Sequence, residues 1–270
     1  MMSRAKERER RRNNLNHMKA AVVFAATVAI IGGVFYWINK SKQDSLNSIT
    51  MCPVLGPKGH IVLLIDTTDP FTFTQKEAFL SLMRDVIQRR TPEGYLLSIF
   101  VLGADYKEHA KPIAELCNPG TGLGKSEWTA DLKNLRSQYE NKFVAPITKQ
   151  AELLIGTQPA KASPIFEMVQ LVGINAFELH AINGDRRLII VSDMLHNTTE
   201  YSMYAGQPDF PTFSSSNYGR RSQSTLNGID VELHYLMNSP RLQERPNVLF
   251  WEAYFDKAKA RLVAVNPLAG

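Results

Sequence analysis

The sequence predicts an α/β domain on a doubly wound, mostly parallel sheet, preceded by one transmembrane helix. Three observations carry this reading. Short apolar runs rich in Ile, Val and Leu alternate with amphipathic segments of helical period, the pattern of strands covered on both faces by crossover helices. Capping and breaking residues stand at the joins between them. Residues 20–38, AAVVFAATVAIIGGVFYWI, contain no charged residue.

The chain opens on a basic tail, residues 1–19, with seven Lys or Arg against two Glu; the whole net charge of +5 sits there. Such a tail reads as topogenic and lipid-contacting, so nucleic acid is not an expected partner. Residues 20–38 follow as a helix of about 28 Å, matched to the hydrocarbon of a bilayer. Phe35, Tyr36 and Trp37 suit its interfacial end, and only Lys40 and Lys42 follow closely. The positive-inside bias then predicts a cytoplasmic N-terminus, an anchor in the inner (cytoplasmic) membrane and a periplasmic or otherwise extracytoplasmic C-terminal domain. No A-x-A site follows the span, as expected of an uncleaved signal anchor. Ala21, Ala25, Ala29 and Gly33 recur every four residues, a small-residue stripe that reads either as a face on which two such helices pair into a homodimer or as the ordinary alanine content of a span.

Residues 39–58 are polar, with Pro and Gly, and read as a linker to a domain spanning 59–270. Ile61–Ile65 reads as a buried strand. Thr74-Gln-Lys-Glu77 fits a capping box opening a helix whose apolar face carries Phe79, Leu82, Met83 and Val86. Thr91-Pro-Glu-Gly94 ends it, and Tyr95–Leu102 is the second strand. Residues 103–125 read as irregular, and Glu127 to Leu154 as helical with a break near Pro146. A further helix starts at Ser163-Pro164, with Ser as cap and Pro in the first turn. Leu188–Val191 and Ile229–Met237 are two more strands, and Asn247 to Leu262 is a closing helix. Residues 200–226, rich in Tyr, Ser, Asn and Gly, read as a long surface insert, a composition that also suits adaptable recognition.

Composition excludes a collagen, a coiled coil and wholesale disorder. Two cysteines exclude an all-cysteine zinc site. In an exported domain Cys52 and Cys117 are either a disulfide or two free thiols, because sequence alone does not place their Cα atoms.

In an open α/β sheet, ligands gather beyond the carboxyl ends of the strands. The first strand runs out into Asp66-Thr67-Thr68-Asp69, another ends at Ser192-Asp193, and the helix after Ser163 starts at the same edge. Carboxylate and hydroxyl oxygens from separate loops are what a hard cation such as Mg²⁺ prefers. At these residues the sequence resembles the von Willebrand factor A domain with its metal-ion-dependent adhesion site, over roughly residues 59–262. HIVLLIDTTDP supplies Asp66 and Thr68, KASPIFE supplies Ser163, and RLIIVSDM supplies Asp193. The resemblance implies a divalent cation, Mg²⁺ or similar, held by Asp66, Thr68, Ser163 and Asp193, through which a partner protein's carboxylate docks. Pro70 departs from the pattern by replacing a serine hydroxyl with a residue that offers no oxygen; Asp69 is the expected auxiliary, and His196 a possible rim residue.

The function implied is a membrane-anchored binding module in an envelope-associated assembly, with no bond made or broken. A metal-assisted hydrolase on the same carboxylates and a structural subunit with a decayed metal site are the alternatives. Pro119-Gly-Thr-Gly-Leu-Gly-Lys-Ser126 resembles a phosphate loop but has Pro where the template needs Gly. A dehalogenase-type phosphatase needs Asp-x-Asp, and Asp69 falls one place late. No histidine accompanies a G-x-S-x-G nucleophile motif.

Overall fold

The structure is a computed structural model that describes residues 17–19, 21–36, 45–124, 131–155 and 159–268. Most of the basic tail, Trp37, residues 39–44 of the expected linker, Lys125-Ser126 and the start of the helix expected from Glu127 lie outside the described residues. The chain divides into two compact units, Met1–Ser45 and Leu46–Gly270. The first contains helix α1 (His17–Tyr36), 20 residues with mean hydropathy 2.0, long and apolar enough to cross a membrane. Ala21, Ala25, Ala29 and Gly33 all fall on it.

In the second unit six strands form one sheet: β1 (His60–Asp66), β2 (Leu96–Leu102), β3 (Ala114–Cys117), β4 (Arg186–Ser192), β5 (Asp230–Leu236) and β6 (Arg261–Leu268). Their order is β3-β2-β1-β4-β5-β6, and every neighbouring pair is parallel except β2 with β3. The chain winds outward from β1 through β2 to β3, returns to lay β4 beside β1, and winds outward the other way. This is the doubly wound sheet the sequence predicts. The seam between β1 and β4 is its topological switch point.

The apolar runs form strands because both faces of the sheet are covered. Every residue of β1 and β2 is buried. On the first face lie Val62, Leu64, Leu188 and Ile190; on the second lie Ile61, Leu63, Ile65, Ile189 and Val191. Each such buried aliphatic side chain contributes about 1.5–3 kcal/mol of hydrophobic stabilisation. Helix α2 (Phe73–Asp85), then α3 (Leu132–Gln138) and α4 (Ala145–Leu154), follow in the chain, and α2 and α4 cover the second face. Helices α5 (Ile165–Val172), α6 (Phe210–Ser215), α7 (Asn217–Arg221) and α8 (Arg245–Lys257) supply the other core. Phe166 is its hub, with ring contacts to Phe213, Phe250, Trp251 and Tyr254.

Several local expectations are corrected. Thr72 rather than Thr74 caps α2: its Oγ1 accepts from Gln75 N at 3.2 Å, and Gln75 Oε1 accepts from Thr72 N at 2.9 Å. Gln75 is buried and also donates to Asn238 Oδ1 at 3.0 Å, which locks the earlier register. Ser163 caps nothing. Helix α5 begins two residues later, at Ile165, without a side-chain cap. The break near Pro146 is a π-helical turn, Tyr139–Val144, which runs directly into α4, so Pro146 sits just after a widened turn that accommodates a residue with no N–H to give the helix.

Two strands stand where none was expected. β3 lies inside the segment read as irregular. The closing helix stops at Lys257, Lys259 adopts a left-handed φ of 61°, and the chain then pairs as β6. Residues 200–226 are no open loop either, because α6 and α7 plug Phe213 and Tyr218 into the Phe166 core.

Residues 46–53 of the expected linker are tied to the domain. Cys52 and Cys117 form a disulfide with Cα atoms 4.7 Å apart. Cys117 N donates to Thr50 O at 2.9 Å, and Met51 is buried.

Candidate functional site

Asp66 is the last residue of β1, and Ser192 the last of β4, so the switch point sets both at one rim. Asp66 is buried and fully engaged. Its Oδ1 accepts from the Thr68 hydroxyl at 2.6 Å and from Thr68 N at 3.0 Å. Its Oδ2 accepts from the Ser192 hydroxyl at 2.6 Å and from the Ser163 hydroxyl at 3.5 Å. Ser163 reaches the rim because its backbone pairs in both directions with Asn197, at 2.8 and 3.0 Å. Hydroxyls from three separate stretches of chain therefore converge on one carboxylate.

Asp193 follows on a tight turn in which Met194 adopts a left-handed φ of 56°. A buried, β-branch-free residue held there needs surrounding support, and α8 with the loop before it gives it. Gln243 Nε2 donates to Asp193 O at 2.9 Å, while Trp251 Nε1 and Asn247 Nδ2 donate to Met194 O at 2.8 and 3.3 Å. Asp193 Oδ1 accepts from Leu195 N at 2.9 Å, and Oδ2 from the Tyr204 hydroxyl at 3.5 Å.

The electrostatics are those of a crowded acidic rim. Burial first, and the nearby Asp69 charge last, raise the Asp66 carboxyl, against the Ser192 and Thr68 hydrogen bonds. Burial, then the charge of Asp66, pushes Asp193 up to about 8, with Asp69 adding charge and a side-chain hydrogen bond. Tyr204 is raised by burial and then by Asp193. Among the described residues no basic side chain is one of the main causes of these shifts.

Asp66, Thr68, Ser163 and Asp193 are thus brought to one place, and Asp69 joins them. Pro70 is exposed, while Asp69 turns back to Asp193 and accepts from Asn238 Nδ2 at 3.4 Å. His196 is not at an open rim. It is fully buried, its Nε2 2.9 Å from the Tyr218 hydroxyl and its ring against Phe166. Burial lowers it to about 3, so it stays neutral. The sequence places Ser192 beside Asp193 at a strand end without giving it a role, and it does not single out Tyr204, Gln243 or Asn247. Only Ser192 carried a signal, as a hydroxyl directly before Asp193 at a strand end.

The donor set suits a hard divalent cation. Each hydroxyl gives its one proton to Asp66 and keeps oxygen lone pairs for coordination, and all the donors are oxygen. Among the described residues no three His, Cys, Asp or Glu side chains are grouped so as to hold a metal ion. Any cation here therefore depends on the hydroxyls and on water.

The resemblance drawn from sequence needs a carboxylate after the fourth strand. With β3 counted, Asp193 follows the fourth strand, and the sheet carries its one antiparallel member at the β3 edge. The domain is von Willebrand A-like in fold. No family model and no curated protein matches the chain. Solved structures similar to this von Willebrand A-like domain include an aerotolerance-related membrane protein from Bacteroides fragilis NCTC 9343, at 9% identity and TM-score 0.36, covering 78% of this chain and 92% of that one. The SpRpn10 VWA domain is similar at 8% identity and TM-score 0.37, over 78% of this chain and 89% of its own. The pilus adhesin SpaC from Lactobacillus rhamnosus GG is similar at 6% identity and TM-score 0.32, over 54% of this chain and 16% of the adhesin.

Proposed function

We propose that this chain is a membrane-anchored protein-binding module of an envelope assembly, and that it docks a partner's carboxylate through a divalent cation, Mg²⁺ or similar. The observation that carries the reading is the convergence of the Thr68, Ser192 and Ser163 hydroxyls on Asp66, with Asp193 and Asp69 beside it, at the switch point of the sheet. When bound, such a cation offers a strongly electrophilic position to an incoming Asp or Glu. Thr68, Ser163 and Asp193 are its proposed ligands. Asp66 orients the hydroxyls, and Asp69 supplies the oxygen that Pro70 lacks. The rim binds and orients, and no bond is made or broken.

In the same reading α1 anchors the chain in the inner membrane with its N-terminus cytoplasmic, and the domain works outside. The Cys52–Cys117 disulfide supports an oxidising compartment. The Ala21, Ala25, Ala29 and Gly33 stripe pairs two anchors.

The test is a thermal melt of the full-length protein in lipid nanodiscs with and without Mg²⁺ or Mn²⁺. The expected gain is about 2.7 kcal/mol at a hundredfold excess over Kd, and Asp66→Ala abolishes it. No gain in the unmutated protein leaves a structural subunit with a decayed site.

A further inference from the structure

The segment leading into β1 carries a feature that the packing of the domain does not use. Leu46 and Pro53 form an antiparallel bridge and Asn47 N donates to Cys52 O at 2.8 Å, so residues 46–53 make a short hairpin. At its tip Asn47 Oδ1 accepts from Ile49 N and Thr50 N at 2.9 and 3.0 Å. A β-turn follows at once, closed by Gly56 N donating to Pro53 O at 2.9 Å, with Val54 and Leu55 as its central residues. Central turn positions ordinarily take Pro, Gly, Asn, Asp or Ser. Here the two turns present Ile49, Val54 and Leu55, which are 82%, 64% and 72% exposed.

These side chains are held out of the core. Met51, between them, is buried, Cys52 is bonded to Cys117, and Cys117 N donates to Thr50 O. Beyond the second turn Lys58 N donates to Gly94 O at 2.9 Å, so the segment is pinned to the sheet on both sides of that turn. Lys58 is the one charged residue between Ser45 and Gly59, and it is exposed. Clustered aliphatic side chains beside a base, with no acid among them, suit the interfacial layer of a bilayer, where apolar groups leave water and lysine meets lipid phosphate.

Chain length supplies that bilayer. Nine residues, 37–45, separate the end of α1 from the hairpin. Fully extended, they reach at most about 32 Å. A bilayer crossed by α1 is therefore always within reach of the two turns.

We propose that Ile49, Val54 and Leu55 dock the domain on the surface of the bilayer that holds α1, with Lys58 on headgroup phosphate. The proposal rests on the reading of α1 as a membrane anchor and goes beyond the carboxylate docking proposed for the rim. The hairpin precedes β1, whereas Asp66 ends it, so the seven residues of the strand, about 23 Å, stand between the docking turns and the rim. Docking on the turns fixes the domain with the rim directed away from lipid and open to a partner.

The test uses the full-length protein in phosphatidylcholine nanodiscs and in nanodiscs of the same lipid brominated near the headgroup end of its acyl chains, read by tryptophan emission. Trp37, the residue after α1 in the sequence, reports the anchor, and its quenching by bromine is expected in the unmutated protein. Leu55→Trp adds emission from an exposed position, and bromine is expected to remove most of that increment. Leu153→Trp, at a 64% exposed position of α4, is expected to keep its increment in both lipids. Ile49→Ser and Val54→Ser, each combined with Leu55→Trp, are expected to lessen the quenching. Quenching of the unmutated protein with an unquenched Leu55→Trp increment overturns the docking and leaves the anchor standing. Absence of quenching in both overturns the anchor reading and the docking with it. A blue-shifted increment that bromine does not reach assigns the turns to a second copy of the chain and overturns the proposal. Equal quenching in Leu153→Trp, or indifference to both serine substitutions, overturns it as well.

Discussion

Ser192 Oγ donates to Asp66 Oδ2 across 2.6 Å, and so ties the end of β4 to the end of β1 at the point where the winding of the sheet reverses. Ser192 is fully buried, and its one proton is spent on the Asp66 carboxylate. The bond also sets the spacing of Asp66 and Asp193, because Asp193 is the next residue in the chain. Removing it leaves a buried carboxylate short of a donor.

Ser192→Ala is expected to cost about 1–3 kcal/mol of stability, the penalty for a buried acceptor that loses its donor, and to raise the Asp66 carboxyl further. Urea unfolding measures the first effect. An unchanged midpoint contradicts it.

The Asp193 turn depends on α8. Trp251→Phe keeps most of the ring packing and loses the 2.8 Å bond to Met194 O, for an expected loss of about 1 kcal/mol. Trp251→Ala also empties the Phe166 core, and a loss of about 3–5 kcal/mol is expected. Comparing the two variants by chemical denaturation separates clamp from packing. Equal losses contradict the role of the indole N–H.

The disulfide joins residues 65 apart. Loop-closure entropy assigns a link of that span about 4 kcal/mol. Melts with and without reductant, and of a Cys52→Ser/Cys117→Ser double variant, are expected to fall together. A reductant-insensitive melting temperature contradicts the assignment.

Acid stability has a local source in Glu232. Burial opposes its ionisation, but the hydrogen bond to His234 at 2.7 Å and the Arg90 guanidinium outweigh burial and hold its carboxyl at about 2. The native state therefore binds the proton more weakly than the unfolded chain. The resulting stabilisation is complete above the ordinary carboxyl value of 4.5 and is lost as pH falls toward about 2. Over that window the unmutated protein is expected to lose stability more steeply than Glu232→Gln, by up to about 1.4 kcal/mol per pH unit. Parallel pH profiles contradict the pairing.

The fold was legible where sequence pattern and burial coincide. β1, β2 and β4 are continuous apolar runs because helices cover both of their faces, and the residues that leave β1 and β4 at the rim could be named from that alone. β6 was not legible, since its side chains are largely exposed and it contains Pro267. It is a strand because β5 offers an open edge. β3 has four residues, and pairing with β2 rather than its own composition defines it. The aromatic residues of 200–226 looked like loop chemistry because their partners, Phe166 and Phe250, are remote in sequence. At the rim, Asp66, Thr68 and Asp193 follow from strand ends, and Ser163 from the start of the helix that comes after it. Gln243 and Asn247 act through backbone carbonyls, which leave no residue pattern to read.

The measurement that bears most directly on the central claim is Mn²⁺ binding to the full-length protein in nanodiscs, followed by electron paramagnetic resonance. The account predicts a single saturable Mn²⁺ per chain, displaced by Mg²⁺, abolished by Asp66→Ala and weakened by Ser163→Ala. Mn²⁺ that stays free in solution, or that binds equally well to Asp66→Ala, contradicts it.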